Sequence, residues 1–197
     1  MPCPPQLDAA VLPAPIAPSS PCTGDWRAEL PTLTGSMVML RELRRGDGPA
    51  LFAALSSQHV SHFISPPPAD VQGFEQFIAW SQRQRGAGQY LSFAVVPKGS
   101  DTPVGLFQIR SLEPAFGTSE WGFAIAEEFW GAGIFMDGAK LTVDFAFNVV
   151  GVRRLEARAC VKNGRGMAAL RKLGAVQEGV LRGSFLRHGQ HHDQAVH

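Results

Sequence analysis

Cysteine is scarce: Cys3, Cys22 and Cys160 are the only three. No two of them stand in a Cys-x-x-Cys spacing, which argues against a zinc site and against a redox pair. A reducing cytoplasm is the expected location. Tyrosine occurs once, as Tyr90. No apolar run approaches the roughly 18 residues that a membrane helix needs, so no membrane partner is expected. The N-terminal stretch lacks a basic start followed by an unbroken apolar segment, the pattern of a secretory signal. The net charge is +1 and no long block of like charge occurs, so no basic face for nucleic acid is indicated.

With 45% hydrophobic and 18% charged residues, the 197-residue chain has material for one packed domain and a tail. The tail is marked by proline: eight of the fifteen lie between Pro2 and Pro31, among Ala and Ser. Residues 1–36 therefore read as an extended, poorly ordered arm, and residues 37–197 as the domain. The plain reading of the arm is a tail without function. The sharper one is a docking arm for a second copy in a homodimer.

Within the domain the patterns alternate between periods. Met37–Glu42 reads as a first strand. Asp47 is placed to cap a helix over Gly48–Ser57, and Asp70 to cap a second to about Arg85, ended by Gly86 and Gly88. Leu91–Val96 and Val104–Arg110 read as strands joined by a tight turn. A strand over Thr118–Ala126, a loop, a helix to about Val149 and a strand over Arg153–Cys160 form a parallel unit with a right-handed crossover. Asn163 caps a short helix ending at Gly174. Val176–Leu186 is a strand, and Gln190–His197 half of one more. Together these predict an α+β domain.

The segment from Glu120 to Ile134 carries most of the functional information. On its strand, Trp121, Phe123 and Ile125 share one face. Glu120, Gly122, Ala124 and Ala126 share the other, a face of small residues with a carboxylate at one end. Gly131 and Gly133 then open a helix. Their backbone can turn several N–H groups toward one point, where the helix dipole adds positive charge, so a pyrophosphate is a natural guest. The helix behind places Phe135, Ala139, Val143, Phe147 and Val150 on one side and Asp137, Lys140, Asp144 and Asn148 on the other. Met136 stands where a dinucleotide-binding loop has its third glycine, and no Gly-Lys-Ser/Thr follows as in a P-loop.

The stretch Glu120-Trp121-Gly122-Phe123 … Phe129-Trp130-Gly131-Ala132-Gly133 resembles the acyl-CoA binding motif of the GNAT acetyltransferase superfamily. Three other stretches resemble its RimJ/RimL-like N-acetyltransferase branch: Leu40-Arg41-Glu42-Leu43 … Asp47, Asn163 … Leu170-Arg171-Lys172-Leu173-Gly174-Ala175, and Glu178-Gly179-Val180-Leu181-Arg182. The resemblance implies a three-layer fold, with a mixed central sheet of six to seven strands and helices on both faces. It implies acetyl-CoA as co-substrate, with no metal, and an amine acceptor, a protein N-terminus or a small molecule. Pantetheine would lie between the two parallel strands, paired with backbone groups of Phe123, Ala124 and Ile125. The pyrophosphate would sit on the N–H groups of Gly131, Ala132, Gly133 and Ile134, extending to Phe135 and Met136. Asn163 matches a family asparagine near the pantetheine or the thioester.

The chain departs from the family pattern at several positions. Glu128 replaces a Gln or Arg and is expected to point outward. Met136 replaces a hydroxyl residue and Gly166 a serine. Tyr90 lies far from the motif in which the family's tyrosine acid occurs. Glu120 is then the candidate general base, with an edge carboxylate paired to arginine as the plain alternative. A thiol has a pKa near 8.5, so the sulfur leaves as a thiolate without a dedicated acid. Other readings are an acyltransferase for a bulkier donor such as succinyl-CoA, with Gly166 enlarging the acyl pocket, and a catalytically silent CoA-binding module. Cys160 reads as packing rather than as a nucleophile. His188, His191 and His192 read as a solvated turn rather than a metal cluster. His59 and His62 are candidates for the lining of an acceptor pocket.

Overall fold

The computed structural model describes residues 25–197. The proline-rich arm from residue 1 to 24 lies outside them. Order begins earlier than the composition suggests. Trp26 and Leu30 are buried, and Trp26 meets Phe116 edge-on with ring centroids 5.4 Å apart. Arg85 holds the same segment by donating to the carbonyl of Arg27 and to Glu42. Trp26, Leu30 and the Arg27 carbonyl together dock residues that composition alone assigned to the arm.

Eight strands form one sheet in the order β1-β2-β3-β4-β5-β6-β8-β7. They are β1 (Leu33–Thr34), β2 (Val38–Glu42), β3 (Tyr90–Pro97), β4 (Gly105–Ser111), β5 (Thr118–Ile125), β6 (Arg154–Cys160), β7 (Gly179–Arg187) and β8 (Gln190–Val196). The count exceeds the expected six to seven by the short β1 and by a complete final strand. Gln190–Val196 is no half strand: it inserts between β6 and β7 and pairs with both. Only β5 and β6 are parallel, joined by a crossover through α4 (Ile134–Phe145). A short π-helical turn, Ala146–Val150, continues α4 to Gly151.

The helices flank both faces. Helices α1 (Gly48–Leu55), α2 (Gln58–Ser61) and α3 (Val71–Gly86) cover one side, where Leu51, Leu55, Phe74 and Ile78 pack on Ala94, Val96 and Leu106. On the other, α4 and α5 (Gly164–Leu173) bury Ile134, Ala139, Phe145 and Leu170 against Phe93, Phe107 and Trp121. No helix among the described residues is long and apolar enough to cross a membrane.

Two predicted roles change. Asp47 precedes α1 but gives it no side-chain cap. Pro49, in the first turn, has no N–H to offer. The Asp47 carboxylate instead pairs with Arg41 through two 2.8 Å bonds and accepts from the Arg44 N–H. That buried pair explains the Arg41 … Asp47 spacing as a structural link. The buried face of α4 is also rotated from the predicted one: Ile134, Gly138, Thr142 and Phe145 point inward, while Phe147 is 42% exposed. Asp137 is not a solvent-facing charge. Its carboxylate accepts from the N–H groups of Ser36, Met37 and Val38 and from the Ser36 hydroxyl, stapling α4 to the start of β2. A Cβ at Gly35 would stand 2.3 Å from Asp137 Oδ2, so only glycine permits this approach. Asp70 and Asn163 cap α3 and α5 as predicted, accepting from the N–H groups of Gly73 and Gly166.

Candidate active site

The site forms where two parallel strands part. β5 and β6 pair only from Thr118↔Arg154 to Trp121↔Ala157. Beyond that point β6 turns to β8, pairing Arg158↔Val196 through Cys160↔Gln194. The far half of β5 keeps its partner β4 but has an open edge toward β6. The Ala126 N–H donates to Val104 O on the β4 side. Alternation then turns the backbone groups of Phe123 and Ile125 to the open edge and those of Ala124 toward β4. Of the three residues expected to offer backbone groups, Ala124 therefore contributes its side chain instead. The Ile125 carbonyl already accepts from Trp130 Nε1 at 2.8 Å. The Phe123 N–H and C=O and the Ile125 N–H remain for an added strand-like guest.

A cavity of about 970 Å³ runs along this edge. Of the predicted residues, Phe123, Ala124, Ile125, Gly131, Gly133, Phe135, Met136 and Asn163 line it. Ala132 is exposed on the loop and does not line it, and the Ile134 side chain is buried in the core. Gly131 and Gly133 have φ of 81° and 83°, a left-handed conformation that other residues adopt at a cost of roughly 1–2 kcal/mol. A Cβ on Gly131 would meet nothing within 4 Å, so the loop is open at its outer side. The N-terminus of α4 lies directly behind. Glu128 is exposed, as expected.

Residues that sequence reasoning missed add cationic and aromatic character. Arg165 stacks over Trp130 with its guanidinium 4.4 Å from the ring centroid. Arg165, Ala169 and Lys172 line the cavity together. Their spacing of four and three residues on α5 is the signal that could have revealed them. His59 and His62 line this larger cavity, and His59 Nδ1 lies 2.7 Å from Glu127 Oε2.

A second cavity, of about 300 Å³, adjoins the first. Phe123, Ala124, Asn163 and Gly166 line both. Glu120 lies in the smaller one, 24% exposed, accepting from Arg110 at 2.9 Å and sitting 3.5 Å from Arg158 Nε. Both pairs use Oε2, which leaves Oε1 for a proton or a water. Asn163 spends Oδ1 on its cap, so Nδ2 remains as its donor. A Cβ on Gly166 would stand 2.6 Å from that Nδ2: the missing serine is replaced by the Asn163 amide rather than by empty acyl space. Tyr90 donates to Gln108 Oε1 and lies outside both cavities; burial raises its pKa. Cys160 is buried and lines neither. Among the described residues no three His, Cys, Asp or Glu side chains are grouped to hold a metal ion.

Comparison with known proteins agrees with this geometry. The model of the acetyltransferase (GNAT) domain matches residues 38–176. The uncharacterised N-acetyltransferase p20 of Bacillus licheniformis is 24% identical over 152 residues, 77% of this chain and 85% of that protein. A GCN5-related N-acetyltransferase from Brucella melitensis superposes with a TM-score of 0.73 at 26% identity, covering 86% of this chain and 78% of its own. RimJ of Mycobacterium smegmatis, solved in complex with CoA-disulfide, shares the fold with a TM-score of 0.76 at 20% identity, covering 84% of each chain. A domain match over most of the chain, with the parted parallel strands and the glycine loop it requires, places this protein in the GNAT acetyltransferase family.

Proposed function

We propose that this protein is an N-acyltransferase that moves an acetyl group from acetyl-CoA to a primary amine by direct transfer. The observation that carries the reading is the junction of the two cavities at the parting of β5 and β6. The larger fits an acyl-CoA. The open edge at Phe123 and Ile125 suits the amides of pantetheine. The loop from Gly131 to Gly133, with the α4 N-terminus behind it, suits the pyrophosphate. Arg165 and Lys172 offer charge to the remaining phosphate. The smaller cavity takes the amine, so donor and acceptor meet beside Phe123, Ala124 and Asn163.

The amine must be neutral to attack. Its nitrogen forms a bond to the thioester carbonyl carbon, the C–S bond breaks, and sulfur leaves with the electron pair as a thiolate. The proton lost by nitrogen passes to Glu120 Oε1, directly or through water, and then to solvent. The Asn163 Nδ2 group and the free N–H groups of β5 are the donors available to the carbonyl oxygen. General-base help of this kind is worth about 10²–10⁴-fold. Glu120→Gln should therefore slow turnover by that order and leave acetyl-CoA affinity unchanged.

Calorimetric titration with acetyl-CoA, succinyl-CoA and free CoA tests the reading, beside a Gly131→Asp, Gly133→Asp double variant. Binding by the wild type and its loss in the variant support it. A folded wild type that binds none of the three refutes it.

A further inference from the structure

The smaller cavity carries information about the acceptor. Its lining is mixed: Phe63, Ile64, Phe74, Phe77 and Phe185 supply an apolar part, and Glu120, Arg158, Asn163 and Gln194 a polar one. At about 300 Å³ it stands at the low end of ligand pockets, the size for a small molecule. Arg187 on β7 donates to the Ser61 carbonyl at 2.8 Å, tying β7 to the segment that leads to Phe63 and the proline run.

Charge is concentrated at one end. Arg110, Glu120 and Arg158 form a chain in which two guanidiniums face one carboxylate, leaving one positive charge over. Arg110 makes the closer contact with Glu120, so Arg158 is only loosely engaged at 3.5 Å. Arg158 lines the cavity with its side chain one-third exposed, and its two terminal nitrogens make no hydrogen bond among the described residues. Glu156, opposite Glu120 in the register, is taken by Arg154 at 2.8 Å and does not line the cavity. A planar guanidinium with free donors suits a carboxylate, which it grips through paired bonds.

We propose that the acceptor is a free α-amino acid with an apolar side chain. Its carboxylate would be bound by Arg158, its amine directed past Glu120 to the thioester, and its side chain held among the phenylalanines. The inference rests on the acyltransferase reading and narrows it. In a peptide the group beside the amine is a neutral amide, which leaves the Arg158 charge unanswered.

The test compares L-phenylalanine, L-phenylalaninamide and phenethylamine as acceptors with acetyl-CoA, following release of free thiol. The amide's amine is less basic and so more often neutral near pH 8. A preference for the acid would therefore come from the protein. The wild type should show a kcat/KM for L-phenylalanine at least tenfold above that for either analogue. Arg158→Gln should bring the three together by raising the KM for the acid, with the dissociation constant for acetyl-CoA unchanged. Arg158→Lys should restore part of the preference, which a merely structural role would not predict. Equal or better turnover of the amide by the wild type overturns the proposal. So does a preference that survives in Arg158→Gln, or binding of acetyl-CoA without turnover of any of the three. In those cases the acyl-CoA reading stands. Failure to bind acetyl-CoA overturns both.

Discussion

Asp137 offers a quantitative test of how α4 is held against the start of β2. Its two carboxylate oxygens divide four donors: Oδ1 takes the Ser36 N–H at 3.1 Å and its hydroxyl at 2.9 Å, and Oδ2 takes the N–H groups of Met37 at 2.7 Å and Val38 at 3.0 Å. Asp137→Asn keeps the shape but turns an NH₂ group toward one of these pairs. Each charge-assisted bond is worth about 1.5–3 kcal/mol when sheltered. Ser36 and Met37 are exposed and only Val38 is buried, so the discounted loss is about 2 kcal/mol. The pH dependence has a definite sign. Burial on its own raises the Asp137 pKa, but the N–H groups of Met37, Val38 and Ser36 and the Ser36 hydroxyl together bring it below the ordinary 3.8. A carboxylate whose folded pKa is depressed adds stability above its unfolded pKa and loses it as pH falls through the folded value. Urea unfolding of the wild type and of Asp137→Asn should thus differ by about 2 kcal/mol at pH 7, and the gap should close as pH falls below about 4. A gap that stays constant down to pH 3, or no gap at pH 7, would refute the staple.

Other changes separate strain, packing and closure. Gly133→Ala should destabilise more than Gly131→Ala in thermal unfolding. Both pay left-handed strain of about 1–2 kcal/mol, but only at Gly133 does the new Cβ meet Met37 Sδ, at 2.9 Å. Cys160→Ala should cost about 1 kcal/mol of stability and leave kcat unchanged, and thiol reagents should not inactivate the native protein faster than it unfolds. The strap between α2 and the proline run is held on one flank by the exposed His59–Glu127 pair and on the other by the half-buried Arg187–Ser61 bond. Exposed pairs are worth about 0.2–1 kcal/mol, so His59→Ala should weaken acetyl-CoA binding by at most about fivefold. A charged donor on a sheltered carbonyl is worth about 1.5–3 kcal/mol, so Arg187→Ala should raise the acceptor KM by about tenfold or more. A larger effect from His59→Ala would contradict this order.

What was legible in the sequence followed from local rules. Apolar runs bounded by turn residues located β3, β4, β5 and β6 to within a residue or two, because most positions of those strands are buried or half-buried. Gly131 and Gly133 announced their loop because a left-handed backbone leaves few other residues to choose. The alternation of β5 assigned Trp121, Phe123 and Ile125 to one face and Glu120, Gly122 and Ala124 to the other, and the structure packs the first three against the core under α4 and Ala124 against the core under α1 and α3. The failures depended on partners that periodicity does not reveal, most of them distant in the chain. Trp26 is indistinguishable from a linker residue until Phe116 is placed beside it. Asp137 belongs to the polar face of α4 until the N–H groups of residues a hundred positions earlier converge on it. Asp47 has the position of a helix cap and the partner of an ion pair. Arg158 reads as one polar residue in a strand until β6 leaves β5 at that point and turns the side chain toward a cavity. Most of the residues expected to meet an acyl-CoA sit on the one segment from Phe123 to Met136 and so could be read locally, whereas Arg165 and Lys172 join them from α5. The walls of the smaller cavity come from α3, β5, β6, α5 and β7, and no single stretch of sequence encodes their meeting.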